Sequence, residues 1–202
     1  MVASRPEWAL GFEDETWWSR YKRPKVHAWA QPGRFLRMVE QSVPKDETEP
    51  KALACYGLLV RWTPTDGQVN EEAWLRFVDD RPVSEMTTSF LDWSCNKLEA
   101  MGKKALVLVW DNAPWHISKM VRNWIGEHNR KVKHDTKGVR VLVCPLPIKS
   151  PWLNPIEAKW AHGKRRIAQA DGLLTAQELT QRVYDAFGCH RQEPLTFNDN
   201  AA

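Results

Sequence analysis

Apolar and polar positions divide this chain of 202 residues into short blocks. The most marked is Ala105–Trp110, ALVLVW, whose six apolar residues give way at once to Asp111. An unbroken run of that length, rich in Val and Leu, predicts a strand buried on both faces. Pro114 follows closely, at a place where the strand has ended and a helix can begin. A carboxylate is thereby held at the C-terminal end of a buried strand, where open α/β sheets put their ligands. Asp after a strand is equally a common turn residue.

The remaining blocks read in chain order. Residues 8–12, WALGF, predict a first strand that ends in the acidic run Glu13, Asp14, Glu15, which by itself reads as a solvated turn. Residues 52–62 predict a central strand, Asp66-Gly67 a hairpin turn, and residues 69–78 a returning strand. Short turns between these three strands imply an antiparallel part of the sheet. Met86, Phe90, Trp93, Leu98 and Met101 then fall on one helical face, with Gly102 as a stop. Strand, helix, strand in succession predicts a crossover, with Ala105–Trp110 parallel to its neighbour. After Pro114, Ile117, Met120, Val121, Trp124, Ile125 and His128 keep helical spacing. His128 on that face is expected to pack or cap rather than to bind a ligand. Residues 139–144 predict another buried strand, and Pro145, Pro147, Pro151 and Pro155 exclude regular structure after it. Asn154-Pro155-Ile156-Glu157 reads as a helix start with Asn154 as cap and Glu157 closing a capping box. Thr175-Ala176-Gln177-Glu178 reads as a second one, for a helix that Gly188 ends. Residues 189–202 read as a loose polar tail.

Composition adds limits. A chain of this length suits one domain. The net charge of +4 permits a polyanionic partner without requiring one. Between Trp17 and Arg37, aromatic residues (Trp17, Trp18, Tyr21, Trp29) alternate with basic ones (Arg20, Lys22, Arg23, Lys25, Arg34), a mixture suited to nucleic acid. A strand over residues 26–30 with snorkelling neighbours accounts for part of it equally well. With twelve tryptophans, some must line a groove or rim. Cys55, Cys95, Cys144 and Cys189 form no CxxC pair and read as reduced thiols of a cytosolic protein. No apolar run approaches membrane-spanning length. Three acidic positions, Asp14, Asp111 and Glu157, follow strands or open a helix. Convergent carboxylates are the ligands of hard divalent cations such as Mg²⁺. Two such ions about 3.5–4 Å apart promote in-line displacement at phosphorus.

The segment WDNAPWH, followed by PLPIKSPWLNPIEAKWAHGKR, resembles the catalytic domain of the mariner-like bacterial insertion-sequence transposases, which are DDE-superfamily endonucleases. DETW resembles that family's opening motif, and the likeness runs from about Trp8 to Phe187. It implies an α/β, ribonuclease-H-like fold: a mixed five-stranded sheet, three antiparallel strands and then two parallel ones, flanked by helices. It implies that Asp14, Asp111 and Glu157 are the catalytic acids and bind two Mg²⁺ or Mn²⁺ ions. One ion activates water for strand cleavage, and the freed 3′-hydroxyl then attacks target DNA. By the same likeness Glu15, Asn112, His116 and Asn154 support the acids or contact DNA, and the basic Lys159, Lys164 and Arg165 flank them. The choice between Asp14 and Glu15 as first acid rests on motif register. The expected partners are DNA, as transposon ends and target, and a second copy in a homodimer, in the bacterial cytoplasm. Residues 1–188 would form the catalytic domain, and the helix-turn-helix module that precedes it in the family is expected to be absent or supplied by a separate subunit. Two other readings stand beside this one: a non-catalytic DNA-binding remnant or partner subunit of a split transposase, and a different ribonuclease-H-like nuclease such as a resolvase.

Overall fold

The computed structural model describes residues 5–21, 33, 44–64, 67–167 and 173–196. The first strand, β1 (Trp8–Ser19), is followed by β2 (Ala52–Trp62), β3 (Asn70–Val78), helix α1 (Ser84–Ala100), β4 (Ala105–Trp110), α2 (Lys119–Asp135), β5 (Arg140–Pro145), α3 (Pro155–Ile167) and α4 (Ala176–Phe187). The strands form one sheet in the order β3-β2-β1-β4-β5. β1, β2 and β3 pair antiparallel, and β4 lies parallel to both β1 and β5. This is the mixed sheet the sequence predicts, and the fold is ribonuclease-H-like.

Strand alternation explains the two-sided core. Along β2, Ala54, Tyr56, Leu58 and Val60 join Phe90, Leu106, Leu108 and Trp110 on one side of the sheet. Cys55 and Leu59 face the other side, among Trp18, Ile156, Trp160, Leu179 and Tyr184. Helices α1 and α2 therefore cover one face, and α3 and α4 the other. Gly57 sits at the closest approach of α3, where a Cβ would run into the Trp160 ring and Ile156 Cδ1. The capping box at Thr175 forms as predicted, and Gly188 ends α4 at φ 65°.

Several expectations need correction. Glu13, Asp14 and Glu15 do not follow a strand; β1 continues through them to Ser19, paired with Leu58, Gly57 and Tyr56 of β2. Glu13 is only 1% exposed, so the acidic run is no solvated turn. The β1–β2 connection is long, not a short turn. Helix α2 begins at Lys119, with Ser118 accepting from the Val121 amide, and Pro114 lies in the turn before it. Ile117 and Met120 are consequently about half exposed, and Val121 is the fully buried residue of that helix. Strand β5 is a sheet edge whose Val143 and Cys144 are exposed. Residues 151–153 of the proline-rich stretch form a short 3-10 turn. Asn154 does not cap α3, since its Nδ2 donates to the Glu13 carbonyl and its Oδ1 has no partner. Its own amide donates to Pro151 O, which removes the predicted capping box with Glu157. Residues 189–196 are not loose: Leu195 is buried, forms a parallel bridge with Val78 and exchanges backbone hydrogen bonds with Phe77 and Asp79. Arg20 and Trp18 belong to the interior; Arg20 binds Leu174 O, Pro50 O and the carboxylates of Glu47 and Glu49. The strand read at residues 26–30, the basic residues from Lys22 to Arg37 and Asp66 of the hairpin signal lie outside the described residues.

Gly57→Ala should lower stability by about 1–3 kcal/mol, the usual range for overpacking. Urea unfolding monitored by tryptophan fluorescence measures it, since Trp160 must move to admit the methyl group.

Candidate active site

Three elements deliver one acid each to a common pocket. β1 and β4 pair in parallel up to Phe12 and Val109, and continuing that register by two residues sets Asp14 level with Asp111. Neighbouring strands lie about 4.8 Å apart. Glu157 comes from the first turn of α3, which crosses the same face of β1. A cavity of about 310 Å³ is lined by Asp14, Asp111, Asn112, residues 146–151, Asn154 and Glu157. Lys149 on this rim holds a left-handed backbone at φ 58°, an unfavourable conformation for a residue with a Cβ. Asn112 Nδ2 donates to Leu146 O at 2.7 Å and ties the exits of β4 and β5 together.

Alternation along β1 separates the acids. Asp14 shares the Trp18 side of the sheet and accepts from Trp160 Nε1 at 2.9 Å. Glu13 and Glu15 project to the opposite side, towards Trp110 and His116. Of the two candidates for first acid, Asp14 lines the pocket and Glu15 does not. His116, 2% exposed, stacks on Trp110 with ring centroids 4.5 Å apart. Its Nδ1 is 2.9 Å from Asp111 Oδ1, and its Nε2 is 3.1 Å from both Glu15 Oε1 and Glu13 Oε2. Trp115 Nε1 also donates to Glu15 Oε1, at 2.8 Å.

The electrostatics follow from this placement. Burial, then the charge of Glu157 and that of Glu15, pushes Asp14 up to about 7. The hydrogen bond from His116 holds Asp111 below the usual carboxylate range, against burial. Burial alone would lower the His116 imidazole; the charge of Glu13 beside it and the bonds to Asp111 and Glu15 reverse this and raise it. Burial and the neighbouring Glu15 raise Glu13. The basic candidates lie apart from the pocket lining. Lys159 pairs with Glu71 of β3 at 2.7 Å, Lys164 lies over the Trp18 ring, and Arg165 is exposed and bonds within its own helix. Glu13 and Trp115 are residues that sequence reasoning passed over. The available signal was β1 itself: once the strand runs through the acids, Glu13 and Glu15 must share a face.

The pocket fits a divalent cation, because Asp14 and Glu157 repel each other across it and a cation would remove that penalty. In metal-free protein the sign is fixed. Asp14 has a folded pKa near 7 against a usual 3.8, so its contribution to stability is full below about pH 4 and is lost as pH rises through 7. Asp14→Asn, which retains an acceptor for Trp160, should therefore stabilise the metal-free protein. Thermal melts in chelator should show a Tm gain that grows from pH 5 to pH 8 and then levels off.

No curated protein matches the chain by sequence. Among solved structures, the fold is similar to the Mos1 transposase paired-end complex with left transposon end, at TM-score 0.60 and 14% identity over 93% of this chain and 49% of that one. It is also similar to the Mos1 mariner paired-end complex with Mn, at TM-score 0.56 and 14% identity over 91% of this chain and 48% of that one. The Mos1 transposase catalytic domain with Raltegravir and Mn matches at TM-score 0.51 and 11% identity over 94% of this chain and 78% of that one. At these identities the likeness is one of fold, and the chain spans about half the length of the Mos1 chains in the paired-end complexes. The family model described as DDE superfamily endonuclease matches residues 9–180, most of the chain, and the chain therefore belongs to the DDE superfamily of endonucleases.

Proposed function

We propose that this chain is the catalytic domain of a transposase, cutting DNA and joining the freed end to a target by metal-dependent phosphoryl transfer. The observation that carries this reading is the convergence of Asp14, Asp111 and Glu157, from β1, the exit of β4 and α3, on one pocket. In this reading the three carboxylates hold two Mg²⁺ or Mn²⁺ ions. When bound, these supply charge for the attacking and leaving oxygens of an in-line displacement. The similar Mos1 mariner paired-end complexes hold Mn in one case and Mg in another, in support of such ions here.

The chain's own groups divide the remaining work. Asp111, whose Oδ1 accepts from the Ala113 amide, presents its carboxylate at the pocket. Asp14 is fixed from behind by Trp160 Nε1. Asn112 and Asn154 hold the loop and the helix start against the strands, through Leu146 O and Glu13 O. The basic residues of α3, Lys159, Lys164 and Arg165, lie on the helix that carries Glu157 and provide positive charge for a DNA backbone beyond the pocket. The similarity to a Mos1 complex with a transposon end supports DNA as the partner; in this reading two copies act together, and a separate helix-turn-helix subunit recognises the ends. Among the described residues no helix is long and apolar enough to cross a membrane, consistent with a DNA-associated protein of the cytoplasm.

Asp111→Asn should abolish Mn²⁺-dependent nicking of supercoiled DNA while leaving the melting temperature within a few degrees of wild type. A mutant that still cuts removes this assignment. Wild type that binds DNA without nicking it identifies a DNA-binding remnant instead, and a preference for four-way junctions identifies a resolvase.

A further inference from the structure

Behind the pocket, on the other face of β1, lies a second charged cluster that the proposed reaction does not use. Glu13, Glu15 and His116 bring one ligand atom each within 4.8 Å of one another. Their arrangement is that of an ion pair, not of a second metal centre. His116 Nδ1 faces the Asp111 carboxylate, and Nε2 faces those of Glu15 and Glu13. Carboxylates accept, so both ring nitrogens donate, and an imidazole with two N–H groups has no lone pair for a metal.

This cluster has a geometric consequence. The Asp111 side chain is 55% exposed, so packing does little to fix it. What fixes it is two bonds to one oxygen: Oδ1 accepts from the Ala113 amide at 2.8 Å and pairs with His116 Nδ1 at 2.9 Å. The histidine is immobilised in turn. It is stacked on Trp110, and its far nitrogen is held by Glu15, which Trp115 Nε1 also grips. Glu15 belongs to the strand that carries Asp14. The chain of contacts Glu15–His116–Asp111 therefore ties the second acid to the strand of the first.

We propose that His116, anchored by Glu15, is a positioning residue that sets the orientation of Asp111 relative to Asp14. The consequence for metal binding rests on reading the acid pocket as the metal site. The turn at residues 113–118 is explained by the same role. Bonds from Ile117 N to Ala113 O and from Ser118 N to Trp115 O fold the chain back so that residue 116 meets residue 111.

Three variants of the full chain test this. His116→Gln replaces Nε2 and leaves nothing at Nδ1; His116→Asn keeps a donor near Nδ1; Glu15→Leu keeps much of the bulk and removes its acceptor for Nε2. Mn²⁺ binding by electron paramagnetic resonance should weaken about 10–100-fold in His116→Gln and Glu15→Leu, the usual effect of removing a partner that orients a ligand. It should weaken less in His116→Asn. In metal-free protein, NMR couplings about χ1 of Asp111 should report one rotamer in wild type and averaging in His116→Gln. Folded variants with wild-type couplings and Mn²⁺ affinity within twofold of wild type overturn the proposal. Should His116→Gln fail to fold, Glu15→Leu decides by the same two readings. Unchanged Mn²⁺ binding in Asp14→Asn would instead overturn the metal reading, and the couplings then decide the positioning role alone.

Discussion

Three consecutive carboxyl groups lie in the middle strand of a five-stranded sheet, and the rest of the molecule is shaped by the need to accommodate them. Charge taken out of water is costly unless it meets an opposite charge or a donor. The pleat of β1 splits the problem in two. One face turns Glu13 and Glu15 towards a buried imidazolium. The other turns Asp14 towards an indole N–H and an open pocket. On the first face a single imidazolium is shared by the carboxylates of Glu13, Glu15 and Asp111; on the second, Asp14 and Glu157 face each other without a cationic side chain in the pocket lining except Lys149 on its rim.

Much of this arrangement could be read from the residues. The continuous apolar runs of β2 and β4 announced strands buried on both faces, and the polarity switch at Asp111 marked the exit of β4. The Thr175–Glu178 box and Gly188 bounded α4 because caps act locally. Errors arose where distant contacts override local pattern. The acids of β1 resembled a turn because nothing nearby in sequence compensates them; their partner, His116, stands about a hundred residues on. Asn154 resembled a cap because its neighbours suit a helix start, yet its amide reaches back to Glu13 O. The helical spacing from Ile117 was genuine, but α2 starts only at Lys119, after the Ser118 cap and the turn that sets His116 against Asp111.

Packing of α3 bears on the same site. Gly57 lets the Trp160 ring lie against β2, and that ring both fills the second core and donates to Asp14. The pocket acid is thus coupled to the quality of packing between α3 and the sheet. Among the described residues no aliphatic side chain of the second core lines the pocket, yet that core holds the indole from which Asp14 accepts.

The docking of Leu195 beside Val78 bears on how the molecule comes together. β3 is an edge of the sheet, and what lies along part of its outer side is a segment more than a hundred residues further along the chain. During synthesis that edge stays open until α4 has been made, long after β1, β2 and β3 could have paired. Contacts of such sequence separation form late and slow folding. An exposed strand edge is also a site for wrong pairing between chains. Nascent copies made close together are therefore most vulnerable to one another in the interval before Leu195 arrives.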